Sequence, residues 1–148
     1  MKRTALIVIA VLIAGLGVTI YLMYTHEPAD NVSGDPDYTL TSSGLIEAFE
    51  KDSSAASLKY INKVIQCKGT VKMLDTSGSL VLIPDDGSGE IIVAIDSRYT
   101  PALKQTETGA VITIQGICSG YSRDQASEDD LLSGLGTTIR LRSAGIKQ

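Results

Sequence analysis

An uncharged N-terminal segment constrains this chain more than any other part of its sequence. The run from Ala5 to Tyr24 contains no charged residue. As a helix rising about 1.5 Å per residue it would be roughly 30 Å long, which is the thickness of a bilayer hydrocarbon core. Lys2 and Arg3 precede the run, and the next lysine or arginine is Lys51. The positive-inside rule therefore predicts a cytoplasmic N-terminus and an extracytoplasmic, periplasmic C-terminal domain.

The alternative interpretation of this segment is a cleaved secretory signal. Signal peptides have a shorter apolar region, of about 7 to 15 residues, and a cleavage site built from small residues. The sequence TIYLMYTHEPAD at the end of the run offers no such site. We therefore predict that residues 1–24 are an uncleaved transmembrane anchor in a bacterial-type inner membrane, with the lipid bilayer as a partner through Ala5 to Tyr24.

The remainder of the chain divides into a linker and one domain. Residues 25–39 contain two prolines and no apolar period, so we expect a flexible linker there. Residues 40–148 then form the domain. The chain carries 13 Lys and Arg against 17 Asp and Glu, and two of those cations precede the anchor. The part of the chain beyond the anchor is therefore acidic and would repel a phosphate backbone unless its cations cluster.

The apolar period within the domain changes from helical to alternating. Leu45, Ile46 and Phe49 have helical spacing, and a second helix is predicted over Ala55 to Tyr60. Five strands follow, with a short helix from Pro101 to Gln105 between the third and the fourth. The predicted strands are Val64–Leu74, Ser79–Ile83, Glu90–Asp96, Ala110–Cys118 and Thr137–Ile146.

This order predicts a mainly β fold, a five-stranded OB-fold-like barrel with an N-terminal helical segment, preceded by one transmembrane helix. An SH3-like barrel or a small sandwich has the same number of strands, and both stay open at this point.

Three stretches of the domain resemble the tRNA_anti-like family of bacterial OB-domain proteins. Together with Phe49 they are AASLKYINKVIQCKGTV from Ala55, VITIQGICSGY from Val111 and TIRLRSAGI from Thr138. The resemblance runs from Leu45 to Ile146 and implies the OB fold. It implies no tRNA function, because the family's biochemical role is largely undescribed.

Cys67 and Cys118 are candidates for a disulfide. Both fall on the inward face of their strands by alternation, and those strands are antiparallel neighbours in an OB barrel. An oxidising compartment would favour a bridge. The alternative is two buried thiols that behave as small apolar side chains, and the strand register decides between the two.

The second and third predicted strands carry the ligand site of an OB fold. By that analogy we expect any ligand-binding residues at Ser79, Val81, Ile92, Ala94, Tyr99 and Tyr121. Neither strand contains an aromatic residue, a lysine or an arginine. Single-stranded nucleic acid is bound by such groups, so we predict that it is not a partner.

The sequence also disfavours catalysis. A nucleophilic serine needs an oriented base, and the only histidine is His26, in the predicted linker. No spacing of metal ligands and no phosphate-binding glycine loop occurs, so we predict no metal and no cofactor. The sequence therefore favours a non-enzymatic, extracytoplasmic binding or assembly module whose ligand is an unidentified protein or small molecule. The alternatives are an OB domain for single-stranded nucleic acid or oligosaccharide, and an enzyme of unknown class.

Overall fold

The structure is a computed structural model that describes residues 13–21, 30–75, 77–123 and 136–147. Residues 13–21 are helical and exposed. Within the described ranges, no helix is long and apolar enough to cross a bilayer. The other residues of the predicted Ala5–Tyr24 segment, 5–12 and 22–24, lie outside the described ranges.

The domain contains six strands and three α-helices among its described residues. Their order is β1 (Tyr38–Thr41), α1 (Ser42–Lys51), α2 (Ser53–Tyr60), β2 (Val64–Asp75), β3 (Ser79–Ile83), β4 (Gly89–Ile95), α3 (Thr100–Leu103), β5 (Val111–Arg123) and β6 (Thr137–Lys147). A 3₁₀ turn at Ser97–Tyr99 precedes α3. The sequence did not predict β1, and α3 ends two residues before the predicted Gln105.

Five of the strands close into a barrel. The strand order is β1-β2-β3-β4-β6-β5, and β2 also pairs with β5. All neighbours in the barrel are antiparallel except β4 and β6, which are parallel. Strand β1 adds outside the barrel, parallel to β2. This is the OB topology with helices, so the predicted mainly β, five-stranded barrel is confirmed.

Helix α1 supplies the largest side chains at one end of the barrel core. Thr41 caps it by accepting a hydrogen bond from the Gly44 amide at 3.1 Å. Leu45, Ile46 and Phe49 lie on its inner face and are fully buried with the inward residues of the strands. The predicted helical spacing is therefore confirmed, because those three positions share the face that meets the barrel.

Residues 30–37, which we call the strap, lie against the barrel. The buried Gln115 amide on β5 donates to the carbonyls of Asn31 and Gly34 at 2.9 and 2.7 Å. Val32 is 3% exposed and packs over Gly145 on β6, where an added Cβ would lie 2.9 Å from both Val32 methyl groups. At the other end of the strap, Asp37 accepts a hydrogen bond from the Val64 amide at 2.8 Å.

The flexible linker predicted for residues 25–39 therefore differs from the structure over residues 30–39. Residues 30–37 form the strap, and residues 38 and 39 belong to β1. The physical reason is that a polar stretch can be held by hydrogen bonds to its backbone, which leave no apolar period in the sequence. Residues 25–29 lie outside the described ranges.

Candidate functional site

The outer face of β3 and β4 brings four of the predicted ligand-binding residues together. Ser79 pairs with Ala94, and Val81 pairs with Ile92. The intervening residues point into the core and are at most 1% exposed: Leu80, Leu82, Ile91 and Val93. The alternation therefore turns Ser79, Val81, Ile92 and Ala94 outward as one adjacent group.

Met73 extends this group onto β2. The register between β2 and β3 shifts between Val71 and Met73, which is a β-bulge that sets Met73 opposite Val81. The Met73 side chain is 57% exposed. Sequence reasoning missed Met73, although Val71 and Leu74 gave a signal. Both are apolar, and their odd separation cannot place them on the same face of a regular strand.

Charged residues border the apolar group on both sides. On β2, Lys72 forms an ion pair with Glu90 at 3.4 Å. On β6, Arg140 lies directly opposite Ile92 and is exposed, and its guanidinium has no hydrogen-bond partner among the described residues. The register therefore builds one row across four strands, which we call the docking row: Met73, Val81, Ile92 and Arg140.

Tyr99, the fifth predicted residue, lies away from the docking row. Its hydroxyl donates to both carboxylate oxygens of Asp30 in the strap, at 2.9 and 2.8 Å. The hydrogen bond from the Ser33 hydroxyl, followed in size by the one from Tyr99, holds the pKa of Asp30 well below its ordinary value. The hydrogen bond to Asp30 in turn raises the pKa of Tyr99. Tyr99 therefore holds the strap in this structure.

Tyr121, the sixth predicted residue, packs at the end of the barrel that α1 covers. Its ring centroid lies 4.9 Å from that of the buried Phe49. On β6 it pairs with Ile139, whose side chain is fully buried. Both tyrosines are thus separate from the four predicted residues on β3 and β4. Tyr99 is held by its hydrogen bond to Asp30 and Tyr121 by its contact with Phe49, and the sequence pattern revealed neither.

The two cysteines are free and buried. Cys67 pairs with Ile114, whereas Cys118 lies opposite Lys63 and donates its amide to the Lys63 carbonyl at 3.0 Å. At about 3.3 Å per residue, this register separates the two cysteines by roughly 13 Å along the sheet. A disulfide needs α-carbons within about 7 Å, so of the two interpretations the structure favours the free, buried thiols over the bridge. Burial raises the pKa of Cys67 to about 12 and that of Cys118 to about 11.

The described residues line several surface cavities. Three of them measure about 150, 240 and 310 Å³. Pockets for small molecules usually hold about 300 to 1,000 Å³, so two of these cavities fall below the range and the third, which Val32, Tyr99 and Ile146 help to line, lies at its lower end. The described residues also contain no group of three or more histidines, cysteines or carboxylates that could hold a metal ion. The docking row lies on the face by which OB folds bind their ligands, so it is the candidate site on the described surface.

Comparison with known proteins identifies the class and then the family. A barrel with this strand order is an OB-fold domain. The model of the tRNA_anti-like family matches residues 1–127, so the chain belongs to that family. No curated protein is detectably similar to the chain in sequence.

Two solved structures are similar to the chain at low sequence identity, and the likeness to the first extends to the fold. The first is a "putative nucleic acid-binding lipoprotein" from Klebsiella pneumoniae subsp. pneumoniae, with a TM-score of 0.52 and 14% identity over 74% of this chain and 91% of that chain. The second is a "putative aspartyl-tRNA synthetase" from Leishmania major, with a TM-score of 0.42 and 11% identity. That match covers 89% of this chain and 26% of the synthetase.

Proposed function

We propose that this protein is a membrane-anchored, extracytoplasmic OB-fold module that binds a partner through the outer face of β3 and β4 and catalyses no reaction. The observation that carries the proposal is the docking row. It places Val81 and Ile92 next to the 57% exposed Met73, on the face where OB folds bind their ligands. Val81 and Ile92 are half-buried, so Met73 is the exposed apolar member of the row, and it continues the partly exposed apolar surface of the two strands.

The chemistry of the face supports binding rather than catalysis. Apart from the hydroxyl of Ser79, the group on β3 and β4 is aliphatic. Two carboxylates lie beside it and both are engaged: Glu90 pairs with Lys72, and Asp75, which lies opposite Ser79, accepts hydrogen bonds from the Ser77 amide and hydroxyl. A catalytic site would bring an acid or base to a reacting atom, whereas aliphatic side chains contribute contact area.

Site-specific photocrosslinking in intact cells tests this proposal. A photoreactive amino acid would replace Met73 in one variant and Val111, on β5, in the control. These two side chains are matched in exposure, at 57% and 60%. We expect a discrete crosslinked product from position 73 only. No product at position 73, or equal products at both positions, would contradict the proposal.

The proposed address rests on the uncharged run from Ala5 to Tyr24 and on the cations that precede it. We expect the full chain to stay in the membrane fraction after alkaline extraction. We also expect a protease added outside the inner membrane to digest the domain. Release into the extract, or protection from the protease, would refute the anchor and the topology respectively.

Binding of single-stranded nucleic acid is the second candidate function. The Klebsiella protein of similar fold is named for binding nucleic acid, and Arg140 and Arg142 are both exposed on β6 beside the face. The absence of aromatic residues from β3 and β4 argues against it, because unpaired bases stack on aromatic rings. A labelled oligothymidine discriminates the two functions. Binding at low salt that weakens steeply as salt is added would favour nucleic acid.

A further inference from the structure

We propose that the docking row binds an amphipathic α-helix of a partner protein, laid across the strands, with three apolar side chains followed by an acidic one. This inference deepens the proposed function and rests on it. The apolar side chains would contact Met73, Val81 and Ile92, and the acidic one would contact Arg140.

The first argument is that the strands of the face have no free edge. Strand β3 is paired on both sides, with β2 and β4, and β4 is paired with β3 and β6. A partner in extended conformation could not add to either strand as a further strand. Lying on the face instead, it would lose water from its backbone N–H and C=O groups without gaining hydrogen bonds for them. A helix satisfies its backbone groups internally and can present side chains alone.

The second argument is the spacing of the row. Its members face one another on adjacent strands, which lie about 4.8 Å apart. A helix advances about 5.4 Å per turn, so residues at positions i, i+4 and i+7 of a crossing helix meet successive strands. The match holds over three apolar contacts, a distance of roughly 10 Å.

The third argument is the charge at the end of the row. Lys72 at the β2 side is paired with Glu90, so its charge is compensated. Arg140 at the β6 side is exposed and has no partner among the described residues. A guanidinium beside an apolar surface favours a carboxylate at that end. The complementary helix therefore carries its acidic residue one turn beyond the last apolar one, near i+11.

A designed peptide provides the probe. It has leucine at i, i+4 and i+7 and glutamate at i+11 in an otherwise alanine- and lysine-based helix, with a fluorescent label. We expect saturable binding to the full-length protein in detergent micelles by fluorescence anisotropy. A peptide of the same composition in scrambled order serves as the control, and we expect it not to bind.

Variants of the protein then test the register. Met73→Glu is expected to weaken binding at least about tenfold, because it places a charge among the apolar contacts. The matched variant Val111→Glu, at a site of similar exposure, is expected to leave binding unchanged. Arg140→Glu is expected to weaken binding of the glutamate peptide and to restore binding of a peptide with arginine at i+11.

Three outcomes would overturn the inference. They are equal binding of the designed and scrambled peptides, equal weakening by Met73→Glu and Val111→Glu, and failure of the charge exchange at Arg140. Displacement of the peptide by oligothymidine would assign the row to nucleic acid instead. If the photoreactive residue at position 73 crosslinks in cells while the peptide does not bind, the helix inference alone fails. If position 73 does not crosslink, the proposed function fails as well.

Discussion

Replacement of Phe49 by alanine tests whether α1 completes the barrel core. Phe49 is 0% exposed, and its ring centroid lies 4.9 Å from that of Tyr121 and 6.2 Å from that of Tyr60. It therefore joins α1 to β5 and to the end of α2. Alanine would remove the ring from a position where the surrounding backbone is fixed by strand pairing, so the site cannot collapse completely.

The expected cost follows from the buried area. A phenylalanine side chain buries roughly 150 to 250 Å², which at about 25 cal/mol per Å² corresponds to about 4 to 6 kcal/mol. Measured Phe→Ala losses in protein cores are about 3 to 5 kcal/mol, and we expect a value in that range. With a urea dependence of about 1 to 3 kcal/mol per molar, the unfolding midpoint should fall by roughly 2 M. Urea titration of the full chain in micelles, followed by circular dichroism at a wavelength dominated by β-structure, measures the shift.

Leu58→Ala is the control for this prediction. Leu58 lies on α2 and is 89% exposed, so its truncation should change the free energy of unfolding by less than about 0.5 kcal/mol. If Phe49→Ala costs less than about 1 kcal/mol, or no more than Leu58→Ala, α1 does not contribute to the core as described.

Two further predictions concern the thiols and the strap. Because burial raises the pKa of Cys67 and Cys118, iodoacetamide should leave the folded protein unmodified at pH 8 and should label both residues in urea without any reductant; labelling that requires a reductant would contradict the free thiols. The Asp30 carboxylate is held ionised by Ser33 and Tyr99, so the stabilisation from these contacts is complete above its ordinary pKa of 3.8 and is lost only in stronger acid. The Val32 and Ser33 amides donate to Asp30 at 3.0 and 3.3 Å, so their hydrogen exchange should stay slow at pH 3.8, and Asp30→Asn should abolish this acid transition.

The barrel could be predicted because its strands alternate and its turns carry glycine and proline. All five predicted barrel strands occur, and Ser79–Ile83 has its predicted bounds. The two register shifts between β5 and β6 coincide with glycines: the first spans Gly116 and the second ends at Gly120, and glycine in a strand often marks a bulge or a bend. Alternation also identified four residues of the outer face. The residues before and after Val81 and Ile92 in their strands are aliphatic and point inward, so Val81 and Ile92 must point outward.

Features that depend on register or on backbone hydrogen bonds could not be predicted. The β-bulge before Met73 adds one residue to β2 and moves that side chain onto the outer face. The separation of Cys67 from Cys118 is set by pairing between distant parts of the chain, which alternation does not encode. The positions of Tyr99 and Tyr121 depend on contacts with Asp30 and Phe49 that have no local signature.

The strap changes where the globular unit begins. A truncation that starts at Leu40, where the apolar pattern starts, would delete Val32 and uncover Gly145 on β6. It would also leave the Gln115 amide, which is fully buried, without the two carbonyls that accept its hydrogen bonds. A shortened chain for crystallisation or NMR should therefore begin at or before Asp30, so that it keeps the strap that packs against β5 and β6.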